Sequence, residues 1–112
     1  MATPRVDFLY WSECPSHERA LAELRAAMAE LGLDPAAIEL REIDSRERAE
    51  ATGFPGSPTI RIDGADVQPT EEPPQLTCRV YRRRDGRVSP TPDPLDIRAA
   101  LGAAATNKQE ER

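Results

Sequence analysis

A chain of 112 residues with 38% hydrophobic and only 4% aromatic side chains has material for one domain and one lean core built mostly of Leu, Ile, Val and Ala. Its formal net charge of −5 argues against a phosphate-binding surface, so no nucleic-acid partner is expected. No apolar run approaches the roughly 20 residues that cross a bilayer, and no membrane partner is expected either.

Elements follow in chain order. Arg5 to Tyr10 reads as a strand with two fairly apolar faces, which suits a central position. Asp7 near its start is assigned to an edge. Ser16 to Leu31 reads as an amphipathic helix whose buried stripe is Leu21, Leu24, Met28 and Leu31. Pro15 suits its first turn and Gly32 its C-terminal exit. Ile38 to Ile43 reads as a second strand, parallel to the first through a right-handed crossover. Asp44-Ser45-Arg46-Glu47 forms a capping box for a short helix that closes at Gly53.

A tight turn, Phe54-Pro55-Gly56-Ser57-Pro58-Thr59, leads into the alternating strand Thr59 to Asp63, which Gly64 ends. Ala65 to Gln75 is polar and proline-bearing and reads as a surface loop. Thr77 to Arg82 reads as the next strand, followed by a turn at Arg84-Asp85-Gly86. The basic cluster of Arg79 and Arg82-Arg83-Arg84 reads as a solvated strand end. Asp93 caps and Pro94 starts a last helix, with Leu95, Ala99 and Leu101 facing inward. Residues 1–105 then form one α/β domain, with a single four-stranded mixed sheet flanked by helices, and 106–112 a flexible tail.

Cys14 carries the main chemical signal. It stands where an apolar strand gives way to a helix, at the positive end of the helix dipole and among backbone N–H groups without partners inside the helix. Both effects favour the thiolate, the reactive form of cysteine. No signal-peptide core precedes the first strand, which predicts the cytoplasm, where thiols stay reduced. Two cysteines are then no disulfide framework but reactive, metal-binding or incidental. His17, the one histidine, lies on the first helical turn, where it could stabilise the thiolate or take its proton. The helix N-terminus opposes a positive imidazolium there, and an exposed polar residue is an equal reading. Glu13 would oppose the thiolate by like charge. Trp11 is expected at the rim of the site. Cys78 lies in a strand pattern with Val80 and reads as a packed core thiol, with a second role as a possible partner of Cys14.

The order strand, helix, strand, short helix, strand, strand, helix resembles the minimal thioredoxin topology from Val6 to about Ala104. Two local motifs carry that resemblance, Cys14-Pro15-Ser16-His17 at the strand-to-helix junction and Gly56-Ser57-Pro58-Thr59 before the third strand. The chain is also similar to small bacterial thioredoxin family proteins, some labelled alkylmercury lyases, through its Cys-Pro pair, its Gly-Ser-Pro-Thr segment and the strand Cys78 to Tyr81. The resemblance implies a cis Ser57–Pro58 bond packed against Cys14. It also implies that Ser57 offers backbone groups to an extended peptide or glutathione, with Trp11, Pro15, Ser57, Pro58 and Thr59 as the substrate surface.

The usual second cysteine of the redox motif is replaced by His17, so a dithiol cycle within the motif is excluded. The expected activity is therefore monothiol exchange. Cys14 attacks a disulfide-bearing protein or small molecule, and glutathione or another low-molecular-weight thiol resolves the mixed disulfide. Beyond that thiol no cofactor is expected, and no metal is assigned. Two alternatives stand beside this one. One is a non-catalytic module that holds a peptide or partner between Cys14 and Pro58. The other is a handler of soft metal or organomercurial compounds that uses Cys14 and Cys78 as thiolate ligands. The sequence leaves the oligomeric state open.

Overall fold

The alternation of Val6, Phe8 and Tyr10 with Asp7 and Leu9 gives the first strand two buried faces, and that strand organises the fold. The computed structural model describes residues 4–110. In chain order it contains β1 (Val6–Tyr10), α1 (His17–Glu30), a 3-10 turn (Pro35–Ala37), β2 (Glu39–Glu42), α2 (Arg46–Thr52), β3 (Thr59–Ile62), β4 (Ala65–Asp66), β5 (Tyr81–Arg82), β6 (Val88–Ser89) and α3 (Pro94–Glu110). Four strands form a mixed sheet in the order β2-β1-β3-β4. β1 runs parallel to β2, with Phe8 opposite Leu40, and antiparallel to β3, with Phe8 opposite Ile60. The radius of gyration, 13.6 Å, is that of a compact α/β domain of this length. Among the described residues no helix is long and apolar enough to cross a membrane.

Helices cover both faces of the sheet. Val6 and Phe8 pack with Ala20, Leu24, Ala27 and Met28 of α1, Ile60 and Ile62 of β3, and Ile97 and Leu101 of α3. Leu9 points the other way, into a smaller cluster with Ile43, Ala49 of α2 and Phe54. Between them Asp7 is buried on a central strand rather than placed at an edge, and it pairs with Arg5 at 3.1 Å and Arg41 at 3.4 Å.

Helix ends follow local chemistry. Gly32, at φ +74°, closes α1 in a Schellman arrangement in which Leu33 N donates to Met28 O at 2.8 Å. Ser45, one residue later than the Asp44 cap of the sequence reading, caps α2 by accepting from Arg48 N at 3.1 Å. Asp93 caps α3, accepting from Leu95 N at 2.9 Å.

Several helical and strand assignments shift. The inner stripe of α1 is Ala20, Leu24, Ala27 and Met28; Leu21 is only partly covered, and Leu31 is exposed at the C-terminal cap. On α3 the inner residues are Ile97 and Leu101, whereas Leu95 is 52% exposed and Ala99 is also exposed. α3 continues through residues expected in the tail as far as Glu110, and 111 and 112 lie outside the described residues.

The largest correction concerns the fourth strand. It is Ala65–Asp66, inside the segment expected to be a loop, and not Thr77 to Arg82. Asp63 and Gly64 both have positive φ, so a two-residue turn folds the chain straight back onto β3. Thr77 to Arg82 instead leaves the sheet. Its first half runs beside Ser57, and its second half, Tyr81–Arg82, pairs with Val88–Ser89 in a separate two-stranded ribbon.

Candidate functional site

β1 ends at Tyr10, and the chain turns through Trp11 to Ser16 before α1 begins. Cys14 N donates to Trp11 O at 2.9 Å and fixes that turn. Pro15 stands outside the helix, exposed, one residue before the N-cap Ser16. Ser16 makes no side-chain bond to the helix that it caps. Its hydroxyl points back to the cysteine, with Oγ 3.0 Å from Cys14 Sγ. The second wall of the site is the turn before β3. The Ser57–Pro58 peptide bond is cis, as expected, and Ser57, Pro58 and Thr59 are all buried. Ser57 Oγ accepts from Trp11 N at 2.9 Å, which ties that turn to the end of β1. Ser57 O accepts from the Cys14 thiol at 3.5 Å.

These neighbours set the charge state of the sulfur. Burial of Cys14 opposes ionisation. Bonds from the Ser16 hydroxyl and backbone N–H, the Ser57 hydroxyl and the Cys78 thiol outweigh it, and the thiol is held below its usual value. Cys78 moves the other way: burial raises it first, and its bond to the Cys14 sulfur and the charge there raise it further. Cys14 therefore ionises before Cys78.

Cys78 reaches this position on a segment that follows the cis-proline turn. Gln75 N donates to Phe54 O at 2.9 Å, Ser57 N to Thr77 O at 2.8 Å, and Arg79 N to Ser57 O at 2.8 Å. Both backbone groups of Ser57 expected to receive a substrate peptide are thus bonded to this chain's own Thr77 and Arg79. Cys78 is exposed and not the packed core thiol of the sequence reading. Cys14 is 0% exposed.

Arg79 locks the segment in place. It is buried, at 6% exposure, and not part of a solvated basic cluster. Its guanidinium bonds Asp66 through two nitrogens, at 2.7 and 3.1 Å, reaches Thr59 Oγ1 at 3.2 Å and also donates to Gln68 O. It stacks 4.3 Å over the ring of Tyr81. Burial keeps the Tyr81 hydroxyl protonated well above its usual range, and that hydroxyl donates to Pro58 O. Gly56 is required beneath the segment: at φ +143° its missing Cβ would stand 3.0 Å from Arg79 Cβ.

The remaining sequence candidates are placed as follows. His17 turns Nδ1 to Cys14 O at 2.6 Å and stacks on Tyr10 at 4.9 Å between centroids, so that nitrogen serves the backbone rather than the sulfur. A carbonyl can only accept, which makes Nδ1 the protonated nitrogen. Trp11 is half-buried against the Leu9, Ile43, Ala49 and Phe54 cluster. Thr59 donates to Gly56 O at 2.7 Å and accepts from Arg79, so its hydroxyl is engaged inside the turn. Glu13 is exposed and makes no bond to the cysteine. Among the described residues no group of three or more His, Cys, Asp or Glu could hold a metal ion.

Comparison with family models, curated proteins and solved structures finds no match to this chain.

Proposed function

We propose that this protein is a thioredoxin-like thiol–disulfide oxidoreductase in which Cys14 is the reacting thiolate. The observation that carries the reading is the Ser16 hydroxyl 3.0 Å from the Cys14 sulfur, beside the cis Ser57–Pro58 bond. A sulfur whose ionisation is favoured near a helix N-terminus is suited to attack a disulfide and to leave from one. The mixed sheet with helices on both faces and a closing hairpin supports the thioredoxin-like assignment. Because Ser57 is already paired with Thr77 and Arg79, the substrate class we favour is a small disulfide, with glutathione or another low-molecular-weight thiol as reductant. A protein disulfide presented on an extended strand would first have to displace 75–79. The same pairing weighs against a passive peptide-binding module. A reducing compartment such as the cytoplasm suits the activity.

The test is reduction by glutathione of a different small disulfide, such as hydroxyethyl disulfide. Cys14→Ser should lower turnover, and full turnover in that variant would refute the assignment.

Both cysteines border Ser57, which favours a second reading, a linear two-thiolate site for a soft cation such as Cu(I). It predicts one tightly held Cu(I) per chain, lost on replacing either cysteine by serine. Cu(I) binding unaltered by those replacements would remove it.

A further inference from the structure

We infer that Cys78 is the entry port of a two-cysteine redox centre, receiving the external disulfide at the surface and passing it to Cys14 beneath, so that the chain cycles through an internal Cys14–Cys78 disulfide. This rests on the exchange activity proposed above and assigns the roles within it. The geometry has three parts. Cys78 occupies the place on the Ser57 edge where a substrate strand would lie, held by the bonds of Thr77 and Arg79 to Ser57. Ser57, which Cys78 borders, also accepts from the Cys14 thiol through its carbonyl at 3.5 Å, so both cysteines meet at one residue. Cys78 is exposed and lines a cleft of ≈ 180 Å³ with Pro55, Thr70, Glu72, Gln75 and Arg79, whereas Cys14 is closed off. An outside disulfide meets Cys78 first.

The steps balance. The Cys78 thiolate attacks one sulfur of R–S–S–R. A Cys78–S–S–R bond forms, the R–S–S–R bond breaks, and RS⁻ leaves and takes up the proton that Cys78 released. The Cys14 thiolate then attacks Cys78 Sγ. The Cys14–Cys78 bond forms, the bond from Cys78 to the R sulfur breaks, and a second RS⁻ leaves and takes up the proton that Cys14 lost. Two protein thiols are oxidised, and one disulfide is reduced to two thiols. Reduction reverses the order: a small thiolate attacks the exposed Cys78 Sγ, and Cys14 leaves. Its lower affinity for protons makes Cys14 the better leaving group of the two. A second small thiolate then frees Cys78. Cys78, higher in proton affinity, is the stronger nucleophile once ionised.

The test treats the folded chain and two variants with oxidised glutathione and reads the products by intact mass and peptide mapping. Wild type should lose two hydrogens and retain no glutathione. Cys14→Ser should retain one glutathione, on Cys78. In Cys78→Ser, Cys14 should react more slowly than Cys78 does in Cys14→Ser, by about tenfold or more, because the covering segment must open first. Cys78→Ala should show the same slowing, and circular dichroism checks that each variant is folded. Glutathione retained on Cys14 in wild type, or Cys14 reacting at the wild-type rate in both Cys78 variants, would overturn the port assignment. That outcome leaves the Cys14 exchange activity standing. Undiminished turnover in Cys14→Ser would instead remove Cys14 as the reacting thiolate of the proposed function.

Discussion

Ser16→Ala tests the electrostatic core of the site directly. The Ser16 hydroxyl lies 3.0 Å from the Cys14 sulfur and makes no bond to the helix it precedes. Its removal should therefore act on the sulfur and not on the fold. A hydrogen bond to a charged group contributes about 1.5–3 kcal/mol. Ser16 is half-buried, so water can replace part of that contribution and the lower end of the range applies. Since about 1.4 kcal/mol is a factor of ten in an equilibrium, the thiolate-to-thiol ratio of Cys14 should fall roughly tenfold at fixed pH. The assay is the ultraviolet absorbance of the thiolate during pH titration, in a Cys78→Ser background so that one sulfur reports. It reads ionisation and needs no reagent to reach a covered atom. The transition should move to higher pH, while urea unfolding shifts by no more than about 0.5 kcal/mol. Superimposable titrations with and without the Ser16 hydroxyl would refute the reasoning. A stability loss above about 1 kcal/mol would show instead that Ser16 serves as a helix cap.

Three further outcomes follow from the clamp and the caps. Arg79→Met leaves the Asp66 carboxylate without its bidentate partner and should cost about 3 kcal/mol in urea unfolding, the lower end for a broken buried pair because Asp66 is partly exposed; a loss under about 1 kcal/mol would show the clamp to be slack. Gly56→Ala places a Cβ 3.0 Å from Arg79 Cβ on a backbone at φ +143°, so the covering segment must move; Cys14 alkylation should accelerate, and an unchanged rate would show that the segment does not guard the sulfur. Asp93 is held below its usual value by bonds from the backbone N–H groups of Arg84 and Leu95. Its stabilisation is therefore complete above the unfolded carboxylate value of about 3.9 and is lost as pH falls through the folded value. Asp93→Ala should cost about 1 kcal/mol at neutral pH and progressively less in acid, and a cost independent of pH down to the acid limit would contradict the cap.

The parts of this molecule written in short-range pattern were legible. The alternation in β1, the extent of α1, the Pro94 start of α3 and the turn around Pro58 each depend on neighbours within a few residues, and each is found where the sequence puts it. The errors have physical causes. The stripe on α1 was assigned from large residues, but the crossing with α3 admits Ala20 and Ala27, so small side chains hold the contact and Leu31 is left outside. The signal for β4 was present and unused: Asp63-Gly64 is a two-residue hairpin turn, and Ala65 pairs with Ile62 directly after it. Asp7 reads as a surface acid until Arg5 and Arg41, from the chain before β1 and from β2, are brought onto it.

The position of Cys78 was illegible for a stronger reason, and the same reason bears on the chemistry. No local pattern around Cys78 marks the residues, distant in sequence, that hold its segment beside Ser57. Its neighbour Arg79 is anchored by Asp66 and Thr59 at the far side of a loop, and the backbone of that same arginine donates to Ser57, the residue before the cis proline. Read locally, Arg79 belongs with Arg82-Arg83-Arg84. Read in the fold, it is the one arginine of that group taken out of water, with its charge compensated by Asp66 and its plane covered by Tyr81. A buried guanidinium is costly to move, because separating it from its carboxylate leaves an uncompensated charge. The backbone bond it anchors, from Arg79 N to Ser57 O, is therefore held in place one residue after Cys78. The Tyr81 hydroxyl on Pro58 O extends the same constraint to the opposite wall. The clamp therefore fixes the backbone on both sides of Cys78, an exposed thiol, at the edge of Ser57.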